Sequence, residues 1–171
     1  MRNLMKNYQE WYRNISSRLT SYPTLLFLLR SFNRLMTVAM PMVYLILLAT
    51  TYLQLGLGQQ VGIYLLVPAT GFVILSLFRK KINHPRPYET WDISPLLDKD
   101  SSGQSMPSRH VFSATIISMV CLHASLSVGL ACLLFSALLG LVRVLGGVHY
   151  PKDVLVGYAC GLVWGFLFFL F

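Results

Sequence analysis

Apolar positions run along this chain in long uninterrupted blocks. Residues 35–78, 111–142 and 154–171 contain no charged side chain. A bilayer crossing needs about 20 apolar residues. The first block is therefore long enough for two crossings, with Gly56, Gly58, Gln59 and Gln60 marking the turn. The second block reads as two short helices that turn around residues 123–129, and the third as a fifth crossing. Residues 1–22 follow a different pattern: Leu4, Tyr8, Trp11, Tyr12, Ile15 and Leu19 recur at helical spacing, while Arg2, Lys6, Arg13 and Arg18 fall mainly elsewhere. A basic helix with an aromatic apolar face lies in a membrane interface or packs on the protein's own surface, and the long apolar blocks favour the interface. Pro23 breaks this pattern, and Arg30 and Arg34 follow a brief apolar stretch. An arginine at the centre of a crossing costs roughly 2.5–3.5 kcal/mol. Residues 23–34 are thus expected to form a re-entrant or interfacial piece. The expected fold is all-α: a polytopic membrane helical bundle of about five transmembrane helices, or six if residues 20–36 also cross. It is read as one domain, with residues 1–34 as an interfacial segment and residues 35–171 as the helical core.

Composition agrees with the pattern. Only 12% of residues are charged, 55% are hydrophobic, and the mean hydropathy is +0.59. Soluble domains carry about 25% charged residues. The net charge of +8, from 14 basic and 6 acidic residues, suits anionic headgroups or a phosphate substrate in a membrane setting. No zinc-finger, RNA-binding or basic-region pattern supports nucleic acid. Cys121, Cys132 and Cys160 lie within apolar blocks and read as buried hydrophobes. The N-terminal stretch lacks the continuous apolar core of a secretory signal.

Three polar islands border the apolar blocks: residues 79–87, 107–110 and 143–153. On a five-crossing topology all three fall at one membrane face. Charged groups at such a boundary are costly and tend to be functional. In the first island Arg79 and Arg86 are seven residues apart, within roughly 20° on one helix face if the helix persists. Pro85 and Pro87 are expected to end it. Guanidinium forks suit phosphate oxygens; Lys80 and Lys81 read as a basic cap facing headgroups. The second island, Pro107-Ser108-Arg109-His110, precedes an apolar run and so signals a helix start. Free N–H groups there favour an anion. Ser108 can cap the helix or donate to phosphate, and His110 can protonate a leaving group or serve as a structural histidine. In the third island His149 and Asp153 are four apart across a helix start, within hydrogen-bond reach. A carboxylate on one imidazole nitrogen leaves the other free to attack; a structural His–Asp pair is the alternative. No metal-ligand spacing is present around His84, His110, His149 or Asp153, so neither metal nor cofactor is expected. His123, alone in an apolar turn, reads as structural.

Together the islands resemble the PAP2 family, the type 2 phosphatidic acid phosphatases. That pattern runs K-x6-R-P, then P-S-G-H, then S-R-x5-H-x3-D. Here Arg79, Arg86 and Pro87 match the first part. Pro107, Ser108, Arg109 and His110 match the second, and Val142, Arg143, His149 and Asp153 the third. Arg79 stands for the usual Lys, Arg109 for Gly and Val142 for Ser. The resemblance implies a metal-independent lipid phosphatase in which His149 forms a phosphohistidine, Asp153 orients it, and His110 protonates the leaving oxygen and then activates water. Arg79, Arg86, Ser108, the backbone at Arg109, and Arg143 would hold the phosphate. Expected substrates are phosphatidylglycerophosphate, phosphatidic acid or undecaprenyl diphosphate. A catalytically silent lipid-binding or transport protein is the alternative; the related vanadium haloperoxidases are soluble, which the apolar blocks oppose. The implied location is the cell membrane, multi-pass, with the site on the outer face as in bacterial members of the family. The basic N-terminal segment counts against that side under the positive-inside rule. Oligomeric state is left open.

Overall fold

The computed structural model describes residues 2–99 and 102–170, with side chains from Tyr8 onward. Seven α-helices follow in order: α1 (Arg2–Thr20), α2 (Pro23–Leu55), α3 (Gln59–Ile82), α4 (Pro87–Thr90), α5 (Arg109–Ala124), α6 (Leu126–Leu145) and α7 (Pro151–Gly165). A 3₁₀ turn (Phe166–Phe169) ends the chain. No strand occurs among the described residues.

Among the described residues four segments are long and apolar enough to cross a membrane: Pro23–Leu55, Gln59–Thr90, Leu126–Leu145 and Pro151–Phe169. The remaining expected crossing, α5, has only 16 residues and a length of about 24 Å. It is the central post of the bundle, packed chiefly against α6 and α7. Val111, Phe112, and Ala114 through Cys121 along it are buried. A helix apolar on every side belongs inside, and neighbours that screen it from lipid remove the need to match the bilayer's full thickness. Its two main packing layers are apolar: Phe112, Ile116 and Met119 meet Tyr64, Leu75 and Phe168, while Ala114, Ile117 and Cys121 meet Met36, Met40 and Leu139. On the outer helices, by contrast, Leu35, Leu45, Leu65, Ile74, Leu134 and Leu155 remain exposed. An apolar surface of that extent is stable only against lipid or a partner, and with the crossing helices it makes this a multi-pass membrane protein.

Glycine sets how closely α5 and α7 approach. A Cβ on Gly157 would come within 2.7 Å of the Ser108 carbonyl oxygen, and one on Gly161 within 2.6 Å of Thr115 Cβ. A small residue every fourth position lets two helix backbones meet without intervening side chains. The first of these contacts fixes the start of α5 against the start of α7, where two of the islands lie.

The first island ends α3, the second begins α5, and the third links α6 to α7, so one end of the bundle carries them all. At that same end α1 turns Tyr8, Tyr12, Ile15 and Leu19 inward and leaves Trp11, Arg13 and Arg18 exposed. The Tyr12 hydroxyl accepts from the Leu96 N–H, and Arg13 pairs with Asp92 at 3.1 Å. The side chains of Arg2, Leu4 and Lys6 lie outside the described residues.

Residues 23–34 differ from the sequence expectation. They are not a separate re-entrant piece and not an additional crossing; they form the first third of α2, which runs unbroken for 33 residues. Such a helix is about 50 Å long, well beyond the roughly 30 Å of a hydrocarbon core. Its N-terminal turns therefore extend past the hydrocarbon at the charged end, and Arg30 and Arg34 need not be buried in lipid. The boundary at residue 35 disappears with the break it assumed.

Candidate active site

The charged end encloses a group of polar side chains that are almost without solvent contact. Arg79, Arg86, Arg143, Ser105, Ser108, His149 and Asp153 are all buried. Each is placed by a local feature of the chain. Arg79 sits in the last turn of α3, where the helix dipole favours a cation, and its guanidinium donates to the Pro107 carbonyl oxygen. Beyond the left-handed Asn83 the chain leaves the helix, as the two prolines require, so Arg79 and Arg86 do not share one helix face. Arg86 instead starts α4. There it donates to the carbonyls of Gly103 at 3.1 Å and Val148 at 3.4 Å, and Glu89 accepts from its backbone N–H at 2.7 Å. Arg143, at the end of α6, donates to Asn33 Oδ1 on α2 at 3.4 Å.

His149 and Asp153 face one another but do not touch directly. Nδ1 of His149 lies 3.6 Å from Asp153 Oδ2, beyond a good hydrogen bond. Ser105 stands between them: its hydroxyl is 3.3 Å from His149 Nδ1 and donates to Asp153 Oδ2. The Tyr150 N–H also donates to that oxygen, at 3.1 Å. The contact anticipated from the four-residue spacing is thus replaced by a three-membered chain, Asp153–Ser105–His149. With Ser105 donating to the carboxylate, Nδ1–H of His149 can donate to the serine, which leaves Nε2 without the proton.

Burial holds the His149 pKa well below the usual histidine value, to about 4, and the Arg143 and Arg86 guanidiniums push the same way; Asp153 opposes them. His149 is therefore neutral at physiological pH. A buried neutral imidazole among cations has a free lone pair rather than a charge.

Ser108 does not cap α5: its hydroxyl makes no capping bond and is a buried oxygen without a partner. Its backbone is engaged, with the N–H donating to the Asp153 carbonyl at 2.8 Å. An unsatisfied buried hydroxyl costs about 1–3 kcal/mol unless something pairs with it. The Arg109 side chain is exposed and lies over the Phe72 ring at 5.6 Å, directed away from the cluster. Only its backbone N–H, in the first turn of α5, remains near. His110 is half-buried and lines a cavity of about 580 Å³, together with Arg143 and the α2 residues Arg30, Asn33, Arg34 and Thr37. His149 does not line that cavity. Lys152 reaches His84 at 3.1 Å on the outer side. His123, at the opposite end, bonds the Tyr64 hydroxyl at 2.7 Å.

Two contributions were not read from the sequence. Ser105 comes from a loop, 44 positions before His149, and no local pattern marks it. The α2 residues had a usable signal: Arg30, Asn33, Arg34 and Thr37 follow the i, i+3, i+4, i+7 spacing of one helix face.

The structure superimposes on that of LpxE from Aquifex aeolicus with a TM-score of 0.73 and 25% identity, covering 95% of this chain and 94% of that one. The fold is also that of a PAP2-type phosphatidylglycerolphosphate phosphatase from Bacillus subtilis, with a TM-score of 0.70, 24% identity, and 95% and 84% coverage. In sequence, the chain is 34% identical over 101 residues to undecaprenyl-diphosphatase BcrC of Bacillus subtilis (strain 168), a match spanning 59% of this chain and 52% of that protein. The chain thus aligns with about half the length of that curated relative. A family model for the PAP2 superfamily matches residues 60–171, more than half of the chain and a stretch that includes all three islands. With motif order, buried cluster and helical architecture in agreement, the chain belongs to the PAP2 superfamily.

Proposed function

We propose that this protein is a membrane lipid phosphatase, releasing inorganic phosphate from a lipid phosphomonoester or diphosphate through a phosphohistidine. The observation that carries the reading is the buried Asp153–Ser105–His149 chain beside three buried arginines. It offers a neutral imidazole nucleophile next to fixed cations, the combination that phosphoryl transfer to nitrogen requires.

The steps assign a role to each group. Nε2 of His149 attacks phosphorus, and the bond to the leaving oxygen breaks. His110 gives that oxygen a proton. Asp153, acting through Ser105, stabilises the positive charge that develops on His149. Arg79, Arg86 and Arg143 grip the equatorial oxygens, with the Ser108 hydroxyl and the Arg109 backbone N–H as neutral donors. His110 then takes a proton from water as it attacks the phosphohistidine. Because the arginines supply the positive charge, the reaction is proposed to need no metal. His149 is 1% exposed, so phosphate entry requires the surrounding arginine side chains to shift.

The lipid is proposed to come from the set that includes phosphatidic acid, phosphatidylglycerophosphate and undecaprenyl diphosphate, the last suggested by the name of the related BcrC. The outer face of the cell membrane is proposed for the site. Labelling of Ser94→Cys by an impermeant thiol reagent in intact cells tests that placement; labelling only after lysis refutes it. For the activity, purified protein in detergent with EDTA is assayed for phosphate release from this panel, beside His149→Ala. Release by wild type and none by the variant is expected. No release by wild type, with equal lipid binding by both proteins, would make it a silent binding protein.

A further inference from the structure

The cavity beside His110 extends past the groups that one phosphate needs. Its α2 wall places Arg30, Asn33, Arg34 and Thr37 along one helix face, opposite His110 and Arg143. One contact joins this wall to the buried cluster. Arg143, a proposed phosphate ligand, reaches Asn33 Oδ1 at 3.4 Å. Arg30, another lining residue, donates through its Nε to the Leu96 carbonyl at 2.9 Å, and that bond does not use its two terminal nitrogens. Among the described residues Arg34 makes no hydrogen bond or ion pair, and its side chain is exposed. Among the described residues Asp98 is the single acidic one lining the same cavity, against Arg30, Arg34 and Arg143.

We infer that Arg30 and Arg34 form a second phosphate subsite, which holds the inner phosphate of a lipid diphosphate while the terminal phosphate is transferred to His149. This rests on the phosphatase reading above and names the substrate class for it. In the first step the bond between the terminal phosphorus and the bridging oxygen breaks. Its electron pair stays on the bridging oxygen, which takes the His110 proton, and the leaving group is the lipid monophosphate. Water then cleaves the phosphohistidine to inorganic phosphate, so one diphosphate and one water yield one lipid monophosphate and one phosphate. Negative charge builds on the bridging oxygen of the leaving phosphate as the bond breaks, until the His110 proton reaches it. Cations beside it therefore act in the transition state and raise kcat, not only affinity. A lipid monophosphate leaves an uncharged alcohol and gains nothing from the pair.

The test uses the full-length protein in a neutral detergent, with farnesyl diphosphate and farnesyl monophosphate as probes. Arg34→Gln is the cleaner variant, since Arg30 also anchors the loop at Leu96; Arg30→Gln/Arg34→Gln removes the subsite. The double variant should lose about 10- to 100-fold in kcat/KM on the diphosphate and less than about 3-fold on the monophosphate. Arg34→Lys should recover part of the loss, with melting temperature unchanged in Arg34→Gln. Equal loss on both probes, or no loss on either, overturns the inference while leaving the phosphatase reading intact. A wild-type protein inactive on both probes, and on the lipid panel above, defeats both. If the arginines instead hold headgroups of the surrounding bilayer, the variants will alter activation by added anionic lipid and leave the diphosphate-to-monophosphate ratio unchanged, which also overturns the inference.

Discussion

Replacing Ser105 with alanine isolates the link between Asp153 and His149. The substitution deletes one oxygen. It removes the donor to Asp153 Oδ2 and the neighbour of His149 Nδ1 at 3.3 Å. The carboxylate keeps the Tyr150 N–H at 3.1 Å, while its other oxygen, Oδ1, is buried and already lacks a partner. Hydrogen bonds to charged groups contribute about 1.5–3 kcal/mol. The 3.6 Å gap between His149 and Asp153 is too wide for direct contact without movement, but partial closure would recover some of the loss. The expected result is a fall in kcat of about 10- to 100-fold, equivalent to about 1.4–2.7 kcal/mol, with KM nearly unchanged and a modest drop in melting temperature. Phosphate release and thermal melts on the same detergent preparation measure both. A Ser105→Ala protein within twofold of wild type in kcat would refute the reasoning, because Asp153 would then orient His149 without the serine.

Three further outcomes follow from the same geometry. His149→Gln should lower turnover by at least about 10⁴-fold, as removal of a nucleophile does, and should retain no acid-labile phosphate after trapping with substrate and quenching in base, whereas wild type should retain it. The depressed His149 pKa has a stability consequence: between about pH 4 and 6.5 the unfolded chain binds a proton that the native site excludes. Stability should therefore rise with pH across that window, by up to about 3 kcal/mol; melts at pH 4.5 and 7 should show a smaller difference in His149→Gln than in wild type. Gly161→Ala places a Cβ 2.6 Å from Thr115 Cβ and 3.2 Å from the Phe112 carbonyl oxygen. It should cost about 1–3 kcal/mol through separation of α5 and α7, seen as a melting temperature several degrees lower, whereas an unchanged melt would mean that the helices have slack.

Much of this molecule was legible in the linear pattern because membrane insertion leaves few choices. Charge-free blocks long enough to cross twice force the intervening polar islands to one end, and the observed ends of α3, α5, α6 and α7 follow that rule. The island residues were also legible one by one, since guanidinium, imidazole and carboxylate groups beside lipid have few other uses. Arg30 and Arg34 were read as interfacial, but the stretch that carries them was taken for a separate piece and not for the start of α2. The cost of an arginine depends on its depth, and depth follows from the length of the helix that carries it; α2 is long enough to lift both clear of the hydrocarbon.

The sequence by itself determined the class of molecule and the end of the bundle to which the polar islands, with His110, His149 and Asp153, are brought, because hydropathy and residue chemistry are local properties. Only the tertiary structure decided that Ser105 stands between Asp153 and His149, that the Ser108 hydroxyl is buried without a partner, that the Arg109 side chain lies over Phe72, and that one face of α2 walls the cavity beside His110. Those are distances between groups brought together by helix packing, and packing depends on the close approach at Gly157 and Gly161, which no pattern of apolar and polar positions measures.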